Sequence, residues 1–399
     1  MNRRGFLSTS AAAGLTAASA QRILGANDRI GIGTIGTGGR GRTVTRYFKE
    51  NAKADTRAVC DIYDENLALG AEAAGTGAKT YHEYERLLEN KDIDAVLVAT
   101  PDHWHAPITI AACDAGKDVY VEKPMCHTIG EAYQMIDAVR RTKRVVQVGT
   151  QRRSYDLFIE GKKFMESGRL GKVQLVNSWW YSNTSNPRDP VVKGKVDWER
   201  WQGSAPKTKE FDPFRFRNWY WFYDYSGGLT VGQGAHILDC INWYMDAKFP
   251  SAVTCVGTSS GVRGLEIPQT TSLTVEYPEG FLATFTLGYN HMVYHAAHDQ
   301  MKQFCGDKGR FDVSRESHHF YEPTRELEQK PAYELVRYGT WGRSTAQHVD
   351  NFLECVQSRK DPNAPVEAGA YAAVSLAMAM ESLKTGNRMR FDPNLKKMI

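Results

Sequence analysis

Three ionisable side chains in two parts of the chain are the first candidates for chemistry: Lys123, His236 and Asp239. Lys123 belongs to a Glu-Lys-Pro sequence that follows a short apolar run, Asp118–Val121, which predicts a buried strand. His236 and Asp239 are three residues apart on a predicted helix and would share one of its faces. A histidine oriented by a carboxylate is a workable general base near neutral pH. The three residues therefore predict acid–base catalysis, and the alternative is that they are ordinary surface residues.

A glycine-rich segment near the start of the chain has the spacing of a dinucleotide-binding turn. A strand candidate at 29–35 runs directly into Gly36, Gly38 and Gly41, which form a G-x-G-x-x-G pattern, and a helix candidate follows. Gly36 would permit the tight turn, Gly38 would let a pyrophosphate approach the backbone, and Gly41 would let the helix pack closely against the strand. The free N–H groups and the positive dipole end of the helix would face the phosphates. We therefore predict a dinucleotide site that also includes Gly39.

An acidic residue at the end of the second strand candidate indicates which dinucleotide is bound. Asp61 follows the glycine turn by about twenty residues, where a carboxylate accepts hydrogen bonds from the adenosine ribose and repels a 2′-phosphate. This position favours NAD over NADP. Arg40 and Arg42 weaken the preference, because either could reach a phosphate, so NADP stays an alternative.

The pattern of strands and helices divides the mature chain into two domains. Strand candidates alternate with helix candidates over residues 28–149, which predicts a doubly wound parallel sheet of the Rossmann type. Over residues 150–399, strand candidates follow one another without helices between them, which predicts a large, mostly antiparallel or mixed sheet with closing helices. The fold class is therefore α/β, and the second domain would bind the substrate.

Aromatic side chains are concentrated in the second domain and are candidates for contacts with a sugar, whose apolar faces suit flat rings. Core packing or a subunit interface is the alternative for more than half of them. The aromatic residues are Trp179, Trp180, Tyr181, Trp198, Trp201, Trp219, Tyr220, Trp221, Phe222, Tyr223 and Tyr225. We select Trp180 and Tyr225 as substrate residues, together with Arg152 and Tyr155, which follow the sixth strand candidate.

A run of three histidines, His291, His295 and His298, has a spacing that could hold a metal ion. Hydrogen bonding to a substrate is the favoured interpretation, and we predict no metal. The seven cysteines show no C-x-x-C spacing and are odd in number, so no disulfide framework is expected. The formal net charge is only +4 and the sequence contains no run of basic residues, which argues against a nucleic-acid partner.

The first twenty residues have the pattern of a twin-arginine signal peptide. Arg3-Arg4-Gly5-Phe6-Leu7 is followed by a small, mildly apolar stretch that is too short to span a bilayer, and Ala18-Ser19-Ala20 offers a cleavage site. Twin-arginine signals direct bacterial proteins to export. We therefore expect a periplasmic or otherwise exported protein without stable membrane insertion, which would carry its cofactor from the cytoplasm.

The chain resembles the Gfo/Idh/MocA family of oxidoreductases over nearly all of its mature length. The resemblance rests on the glycine turn, Thr100-Pro101-Asp102 with His105, Glu122-Lys123-Pro124, and Gly234-Ala-His236-Ile-Leu-Asp239. It implies a Rossmann domain followed by an α/β domain with a large open sheet that often serves for oligomerisation, here as a dimer or tetramer. It also implies NAD(P)-dependent oxidation or reduction of sugars, cyclitols or polyols. A minority of the family are glycosidases that use bound NAD and return it unchanged.

The resemblance further implies roles for individual residues. Thr100, Asp102, His105 and Glu122 would lie near the nicotinamide, although His105 could equally be a structural helix cap. Lys123 would lie beside the nicotinamide ribose and the substrate hydroxyl, and Asp239 would orient His236 or bind a sugar hydroxyl. Further along, the sequence departs from the family. Many members carry an acidic residue four positions before the histidine, where this chain has Gly232, and this puts the usual hydrogen-bond relay and the substrate class in doubt.

Overall fold

The computed structural model describes residues 29–181, 187–260, 264–288, 299–326 and 328–399. Its first sheet has six strands: Ile30–Ile35 (β1), Ala54–Cys60 (β2), Lys79–Tyr81 (β3), Ala95–Val98 (β4), Asp118–Val121 (β5) and Val146–Val148 (β6). All pairings in this sheet are parallel, and the spatial order is β3-β2-β1-β4-β5-β6. The predicted doubly wound sheet is confirmed. Its order reverses between β1 and β4, and ligands bind at such a switch point, beyond the carboxyl ends of the strands.

Five helices accompany the parallel sheet: Gly39–Glu50 (α1), Asp64–Ala74 (α2), Tyr84–Leu88 (α3), His105–Asp114 (α4) and Ile129–Thr142 (α5). Each lies within a few residues of its predicted position, because the apolar runs and glycine stops in this half of the chain are clear. Thr128 and Glu131 form a reciprocal capping box at the start of α5. Helix α1 begins inside the glycine turn, so its free N–H groups face the switch point.

The second sheet has ten strands: Val173–Trp180 (β7), Ala252–Gly257 (β8), Thr271–Glu276 (β9), Leu282–Leu287 (β10), Gln300–Gly306 (β11), Gly309–Val313 (β12), Ser317–Tyr321 (β13), Tyr333–Val336 (β14), Met389–Asp392 (β15) and Lys397–Met398 (β16). Their order is β14-β13-β12-β11-β7-β10-β9-β8-β15-β16. Strands β7 and β10 pair in parallel, and the other pairs of described strands are antiparallel. The expectation of a large, mostly antiparallel sheet is confirmed.

The described residues of this second half form six α-helices: Asp156–Glu166 (α6), Trp198–Trp201 (α7), Pro213–Arg217 (α8), Gly228–Tyr244 (α9), Arg343–Ser358 (α10) and Val366–Thr385 (α11). Helix α9 begins seven residues before its predicted start at Ala235. Its glycines lower helix propensity, but Gly234 is needed for packing, because a Cβ there would lie 2.6 Å from the Leu376 side chain. His236 is therefore in the middle of a helix and not near its N-terminus.

Helix α10 packs against the parallel sheet although it lies near the end of the chain. The ring of Phe352 lies 6.0 Å from Phe48 on α1 and 5.9 Å from Tyr120 on β5, in edge-to-face contacts. The two halves of the molecule are thus joined by more than the connection after β6. Of the helices within the described ranges, none has the length and apolar character needed to cross a membrane. The seven cysteines are free thiols, and six of them are buried.

Candidate active site

A cavity of about 780 Å³ opens at the carboxyl ends of β1, β2, β4 and β5, between the two halves of the molecule. The residues predicted to bind the cofactor that line it are Gly36, Gly38, Gly39, Arg40, Asp61, Thr100, Asp102, His105, Glu122 and Lys123. The remaining predicted member, Gly41, lies behind the turn. The parallel sheet therefore brings the predicted cofactor residues together at its switch point, as the spacing of the sequence motifs indicated.

The glycine turn has the geometry that a bound pyrophosphate requires. Gly36 has φ +88°, and a Cβ there would lie 2.7 Å from the backbone of Ala99 and Thr100. A Cβ on Gly41 would lie 2.0 Å from the Gly36 carbonyl oxygen, so this glycine is needed for close packing of α1. A Cβ on Gly38 would meet nothing within 4 Å. Gly38 thus faces open space at the N-terminus of α1, which fits an approaching phosphate group.

Asp61 is held at the cavity wall by backbone and hydroxyl donors. Its Oδ2 accepts hydrogen bonds from the Thr37 N–H at 2.8 Å and the Thr37 hydroxyl at 3.2 Å. Its Oδ1 accepts one from the Tyr63 N–H at 3.0 Å. Burial raises the pKa of Asp61, and these hydrogen bonds oppose that rise. The carboxylate is therefore fixed beside the glycine turn, where a ribose would lie.

The two arginines that could have bound a 2′-phosphate both have partners in the protein. Arg40 Nε forms an ion pair with Glu122 Oε1 at 2.6 Å, and Glu122 is buried. Arg42 Nη1 donates to the Thr37 carbonyl oxygen at 2.7 Å. Glu122 also accepts a hydrogen bond from the backbone N–H of Lys123 at 3.1 Å. These contacts tie the glycine turn to the loop after β5.

Buried polar contacts fix the loops after β4 and β5. His105 lies with Nδ1 2.6 Å from the Pro124 carbonyl oxygen and Nε2 2.9 Å from the Thr100 carbonyl oxygen. It therefore bridges the two loops as well as beginning α4. Asp102 accepts a hydrogen bond from the Ser226 hydroxyl at 2.6 Å, and burial raises the pKa of Asp102. His105 and Asp102 thus hold the two loops at the cavity rim in place, and Asp102 also joins the rim to the second half of the molecule.

Lys123 bridges the two halves of the molecule directly. Its Nζ donates to the carbonyl oxygen of Gly232 on α9 at 3.1 Å. Burial lowers the pKa of Lys123, while the charges of Glu122 and Asp102 oppose that shift. A Cβ built on Gly232 would lie 1.6 Å from the hydroxyl oxygen of Tyr220. The phenol of Tyr220 thus occupies the space that an acidic side chain at position 232 would need.

The predicted pairing of His236 with Asp239 is wrong. Asp239 instead accepts hydrogen bonds from Nε of Arg153, at 2.8 Å to Oδ1 and 3.0 Å to Oδ2. Residues three apart on a helix can share a face, but a buried carboxylate takes a cation where one is in reach, and Arg153 projects from the turn after β6. The pKa of Asp239 is nevertheless raised, because its burial outweighs the charge of Arg153.

His236 is 8% exposed, and its Nδ1 has no hydrogen-bond partner among the described residues. Burial holds the pKa of His236 well below its usual value, and the charges of Lys123 and Arg152 lower it further. Its imidazole is therefore neutral near pH 7 and can accept a proton. The ring of Trp180 lies 6.2 Å from it, and neither residue is among the described residues that line the cavity.

None of the four predicted substrate residues is among the described residues that line the cavity, and two of them, Tyr155 and Tyr225, belong to the core. Tyr155 is fully buried, with its hydroxyl 2.5 Å from the Thr340 hydroxyl. Tyr225 is buried against Trp201, at 4.6 Å between ring centroids. Their aromatic area is used in packing, which was the alternative considered from the sequence. Arg152 is also buried, but it lies 5.6 Å from the Trp180 ring and so remains close to His236.

The second half of the molecule also lines the cavity. Four of its lining residues are among the aromatic candidates named from the sequence: Trp201, Trp219, Tyr220 and Trp221. The sequence did not single out the others, which are Arg188, Arg200, Phe216, Arg217, Asn218 and Leu229. The carbonyl oxygen of Trp201 accepts a hydrogen bond from Trp104 Nε1 at 2.8 Å, which joins α7 to the parallel sheet. The dense aromatic run around Trp219 was a signal for this wall, but only the fold could separate its cavity-lining members from the core. The run of His291, His295 and His298 lies outside the described residues.

A doubly wound sheet with a dinucleotide turn, closed over its switch point by an open sheet domain, defines a two-domain nucleotide-dependent oxidoreductase. The family comparisons agree with this class. Residues 30–150 match the oxidoreductase family with an NAD-binding Rossmann fold, and residues 162–391 match the C-terminal alpha/beta domain of that family. The chain belongs to the Gfo/Idh/MocA family. In the part of the chain that the structure covers, no group of three or more His, Cys, Asp or Glu residues could hold a metal.

Curated relatives match over parts of their length. Inositol 2-dehydrogenase 2 of Saccharopolyspora erythraea is 26% identical over 260 residues, which is 65% of this chain and 66% of that protein. A glycosyl hydrolase family 109 protein of Shewanella pealeana is 33% identical over 127 residues, 29% of this chain and 27% of that protein. The aligned regions thus span about a quarter to two thirds of these relatives.

Solved structures share the fold over most of the chain. An oxidoreductase domain protein from Kribbella flavida has a TM-score of 0.73 at 20% identity, covering 91% of this chain and 99% of that one. Levoglucosan dehydrogenase in complex with NADH and L-sorbose has a TM-score of 0.72 at 18% identity, covering 92% and 99%. These similarities agree with the two-sheet architecture.

Proposed function

We propose that the protein is an NAD-dependent oxidoreductase that oxidises or reduces a hydroxyl group of a sugar, glycoside or polyol, with its cofactor held tightly. The observation that carries the proposal is the cavity at the switch point, where the glycine turn and Asp61 face the same space as Lys123. Relatives and structural neighbours named as inositol and levoglucosan dehydrogenases support the substrate class.

The residues of the cavity fit NAD, which would supply the hydride acceptor. Gly38 and the N-terminus of α1 would bind the pyrophosphate, and Asp61 would bind the adenosine ribose. The ion pair of Arg40 with Glu122 supports NAD over NADP, because Arg40 already has an anionic partner. A 2′-phosphate would also lie against the Asp61 carboxylate, which repels it.

Lys123 and His236 would handle the proton. The Lys123 ammonium, anchored on the Gly232 carbonyl oxygen at 3.1 Å, would orient the substrate hydroxyl and stabilise negative charge on its oxygen. The neutral imidazole of His236 would accept the hydroxyl proton during oxidation and return it during reduction. Asp239 would support this arrangement at a distance, because its pairing with Arg153 fixes the turn after β6 against α9.

A redox-neutral, NAD-dependent glycosidase or lyase reaction is the second candidate. It is favoured by one departure in the site: position 232 lacks the acidic side chain that the family resemblance implies, and the phenol of Tyr220 fills its place. The partial match to a glycosyl hydrolase family 109 protein supports the same alternative. In that reaction NAD would supply a transient oxidation and would stay bound, with its oxidation state unchanged after each turnover.

We also propose that the protein is exported and forms a homo-oligomer. The twin-arginine pattern of residues 1–20 supports export, and it lies outside the described residues. The outer face of the ten-stranded sheet supports self-association, because the large apolar side chains Val256 and Leu282 are exposed there.

A comparison of His236→Gln with His319→Gln tests the proton-transfer role. The purified protein would be incubated with a panel of glycosides and polyols while NADH absorbance and product identity are followed. We expect His236→Gln to bind NAD normally and to lose roughly a hundredfold to ten-thousandfold in turnover. His319→Gln, on β13, should behave like the wild type. Near-normal turnover of His236→Gln at saturating substrate would remove the base assignment, and a hydrolysed product without net NADH would select the second candidate.

A further inference from the structure

Two buried cations lie behind His236, on the face of the ten-stranded sheet that the helices cover. Arg152, from the turn after β6, is 1% exposed, and Lys302, from β11, is 0% exposed. Both charges lie over the same ring, that of Phe158: the Arg152 guanidinium at 5.7 Å from the centroid and the Lys302 ammonium at 5.3 Å. The two positive charges therefore share one small region of the interior.

The hydrogen-bonding capacity of these cations is largely unused. Arg152 Nη2 donates to Gln300 Oε1. The Nε and Nη1 atoms of Arg152 and the Nζ atom of Lys302 are buried without a hydrogen-bond partner among the described residues. Native proteins rarely leave buried donors in this state, so each such group calls for a ligand or a solvent molecule that satisfies it.

The neighbouring acids do not neutralise the pair. Asp239 is bound to Arg153 at 2.8 Å, and Asp299 is bound to a third cation, Arg315, at 3.1 Å. Arg152, Lys302 and Arg315 thus share one remaining acid, Asp299, and leave an excess of positive charge. Burial lowers the pKa of Arg152 to about 10 and that of Lys302 to about 7, which reflects the cost of charges held away from water.

A single indole connects this cluster to the proposed base. Trp180 is half-buried, with Arg152 5.6 Å from its ring and His236 6.2 Å away between centroids. Guanidinium and ammonium groups both form charge-assisted hydrogen bonds with oxyanions, and an aromatic ring suits the apolar face of a sugar. An anionic group at Arg152 would therefore direct the rest of a sugar along Trp180 toward His236.

We propose that Arg152 and Lys302 bind an anionic substituent of the substrate, so that the substrate is an acidic sugar or glycoside carrying a carboxylate or a sulfate ester. This inference rests on the proposed function and specifies the substrate class of the same site. Carboxylate and sulfate share the oxyanion chemistry that the two cations recognise, and separate arms of the experiment distinguish them.

The test compares substrates that differ only in charge. The NAD-loaded protein would be assayed with a methyl glucoside, the matching glucuronide and the matching 6-sulfate, and binding of each would be measured by calorimetry. We expect kcat/KM for an acidic sugar to exceed that for the neutral one by about ten- to a hundredfold, the usual effect of charge-assisted hydrogen bonds, mainly through KM. Equal or better use of the neutral sugar would overturn the inference and leave the proposed function intact.

Variants of Lys302 test whether the preference for acidic over neutral sugars depends on this pair of cations. Lys302→Met keeps the length of the side chain without its charge, and we expect it to lower the ratio of acidic to neutral kcat/KM by about tenfold, with Lys302→Arg restoring most of it. Lys162→Met, which removes a cation paired with Asp246 at 2.7 Å, is the matched control and should keep the wild-type ratio. A ratio unchanged by Lys302→Met would contradict the inference.

Direct binding separates this inference from the proposed function. If no sugar is turned over but the glucuronide or the 6-sulfate binds in a Lys302-dependent manner, the anion site stands and the proposed reaction does not. If inorganic sulfate binds at Lys302 while acidic sugars show neither tighter binding nor higher kcat/KM than the neutral sugar, the substrate assignment is wrong.

Discussion

At the scale of single residues, Asp239 stabilises the fold and does not orient the proposed base, His236. Asp239 and Arg153 form a buried ion pair between α9 and the turn after β6, and both oxygens of the carboxylate are used. His236 is kept neutral by its burial and by nearby cations, and its Nδ1 forms no hydrogen bond with a carboxyl group among the residues that the structure describes. Substitutions at the two positions should therefore have different kinds of effect.

Asp239→Asn should destabilise the protein by about 3–5 kcal/mol, because it leaves the charge of Arg153 buried and unpaired. Thermal unfolding and urea titration would measure the loss, and turnover per folded molecule would be recorded alongside. The double variant Arg153→Met with Asp239→Leu removes both charges and should recover most of the stability. A stable Asp239→Asn protein with strongly reduced turnover would instead restore the orienting role predicted from the sequence.

The glycine turn offers a second comparison between neighbouring residues. Gly38→Ala should fold normally, because the added Cβ meets no atom within 4 Å, but it should weaken NAD binding by occupying the space of the pyrophosphate. Gly41→Ala should unfold at lower temperature, because its Cβ would lie 2.0 Å from the Gly36 carbonyl oxygen. Calorimetry with NAD and thermal unfolding measure the two effects. Unaltered NAD affinity in Gly38→Ala would argue against a phosphate at this turn.

At the scale of elements, a buried histidine links α10 to the end of β6. His348 Nε2 donates to the Val148 carbonyl oxygen at 2.8 Å, and its Nδ1 accepts from the Ser154 hydroxyl at 2.6 Å. Burial lowers the pKa of His348 to about 4. The imidazole therefore holds the two halves of the molecule together in its neutral form.

The stability of the protein should accordingly fall in mild acid. Below about pH 6.5 the unfolded chain binds a proton at His348 and the folded protein does not, so the free energy of unfolding decreases as the pH falls toward 4. The slope for one such group is at most about 1.4 kcal/mol per pH unit. Denaturant titrations between pH 7 and 4 should show a shallower slope for His348→Gln than for the wild type. His82→Gln, at an exposed histidine, should leave the slope unchanged, and equal slopes in all three proteins would contradict this account.

The elements also show which parts of the fold the sequence could predict. Five strands of the parallel sheet were predictable, because they contain apolar runs separated by helix patterns, whereas β3, with exposed Lys79 and Thr80, was missed. In the second sheet the strands from β11 to β16 were missed, because they are short or carry polar residues such as Lys302, Asp312 and His318. The start of α9 was misplaced, because the helix begins at Gly228 and contains Gly232 and Gly234, and glycines resemble helix breaks in a sequence.

The residues of the candidate site also fall into two groups, those that the sequence predicted correctly and those that it did not. Residues whose role depends on local spacing, such as Gly36 and Asp61, lie where the motif predicted them. Residues whose role depends on tertiary contacts were assigned less well, because the partner of Asp239 is distant in sequence and the packing of Tyr225 depends on α7. A single sequence contains no direct record of such long-range contacts.

At the scale of the whole molecule, the cofactor cavity is built by both halves of the chain. Lys123 reaches Gly232, Trp104 reaches Trp201, and α10 packs on the parallel sheet. The second half of the chain thus completes the wall of a cavity whose predicted cofactor residues all lie in the first half, and a cavity built in this way fits the proposed export of a folded, loaded enzyme.

Replacing Arg3 and Arg4 with Lys should therefore retain the protein in the cytoplasm with residues 1–20 still attached. Cell fractionation and N-terminal mass determination would measure this, and NAD content would be determined for each fraction. The wild-type protein in the exported fraction should contain NAD, since the cofactor is bound before transport. Export that is unaffected by the double substitution would rule out the twin-arginine route.

The contact between Gly232 and Tyr220 has a consequence for how this site could have evolved. An acidic residue introduced at position 232 would meet the phenol, because its Cβ would lie 1.6 Å from the Tyr220 oxygen. That oxygen is the far end of the Tyr220 side chain, so the ring would have to turn away to make room. A smaller residue at position 220 would make the room without that movement. The effect of gaining or losing an acid at position 232 therefore depends on the residue at position 220, and a double-variant cycle at the two positions should show a clear interaction energy.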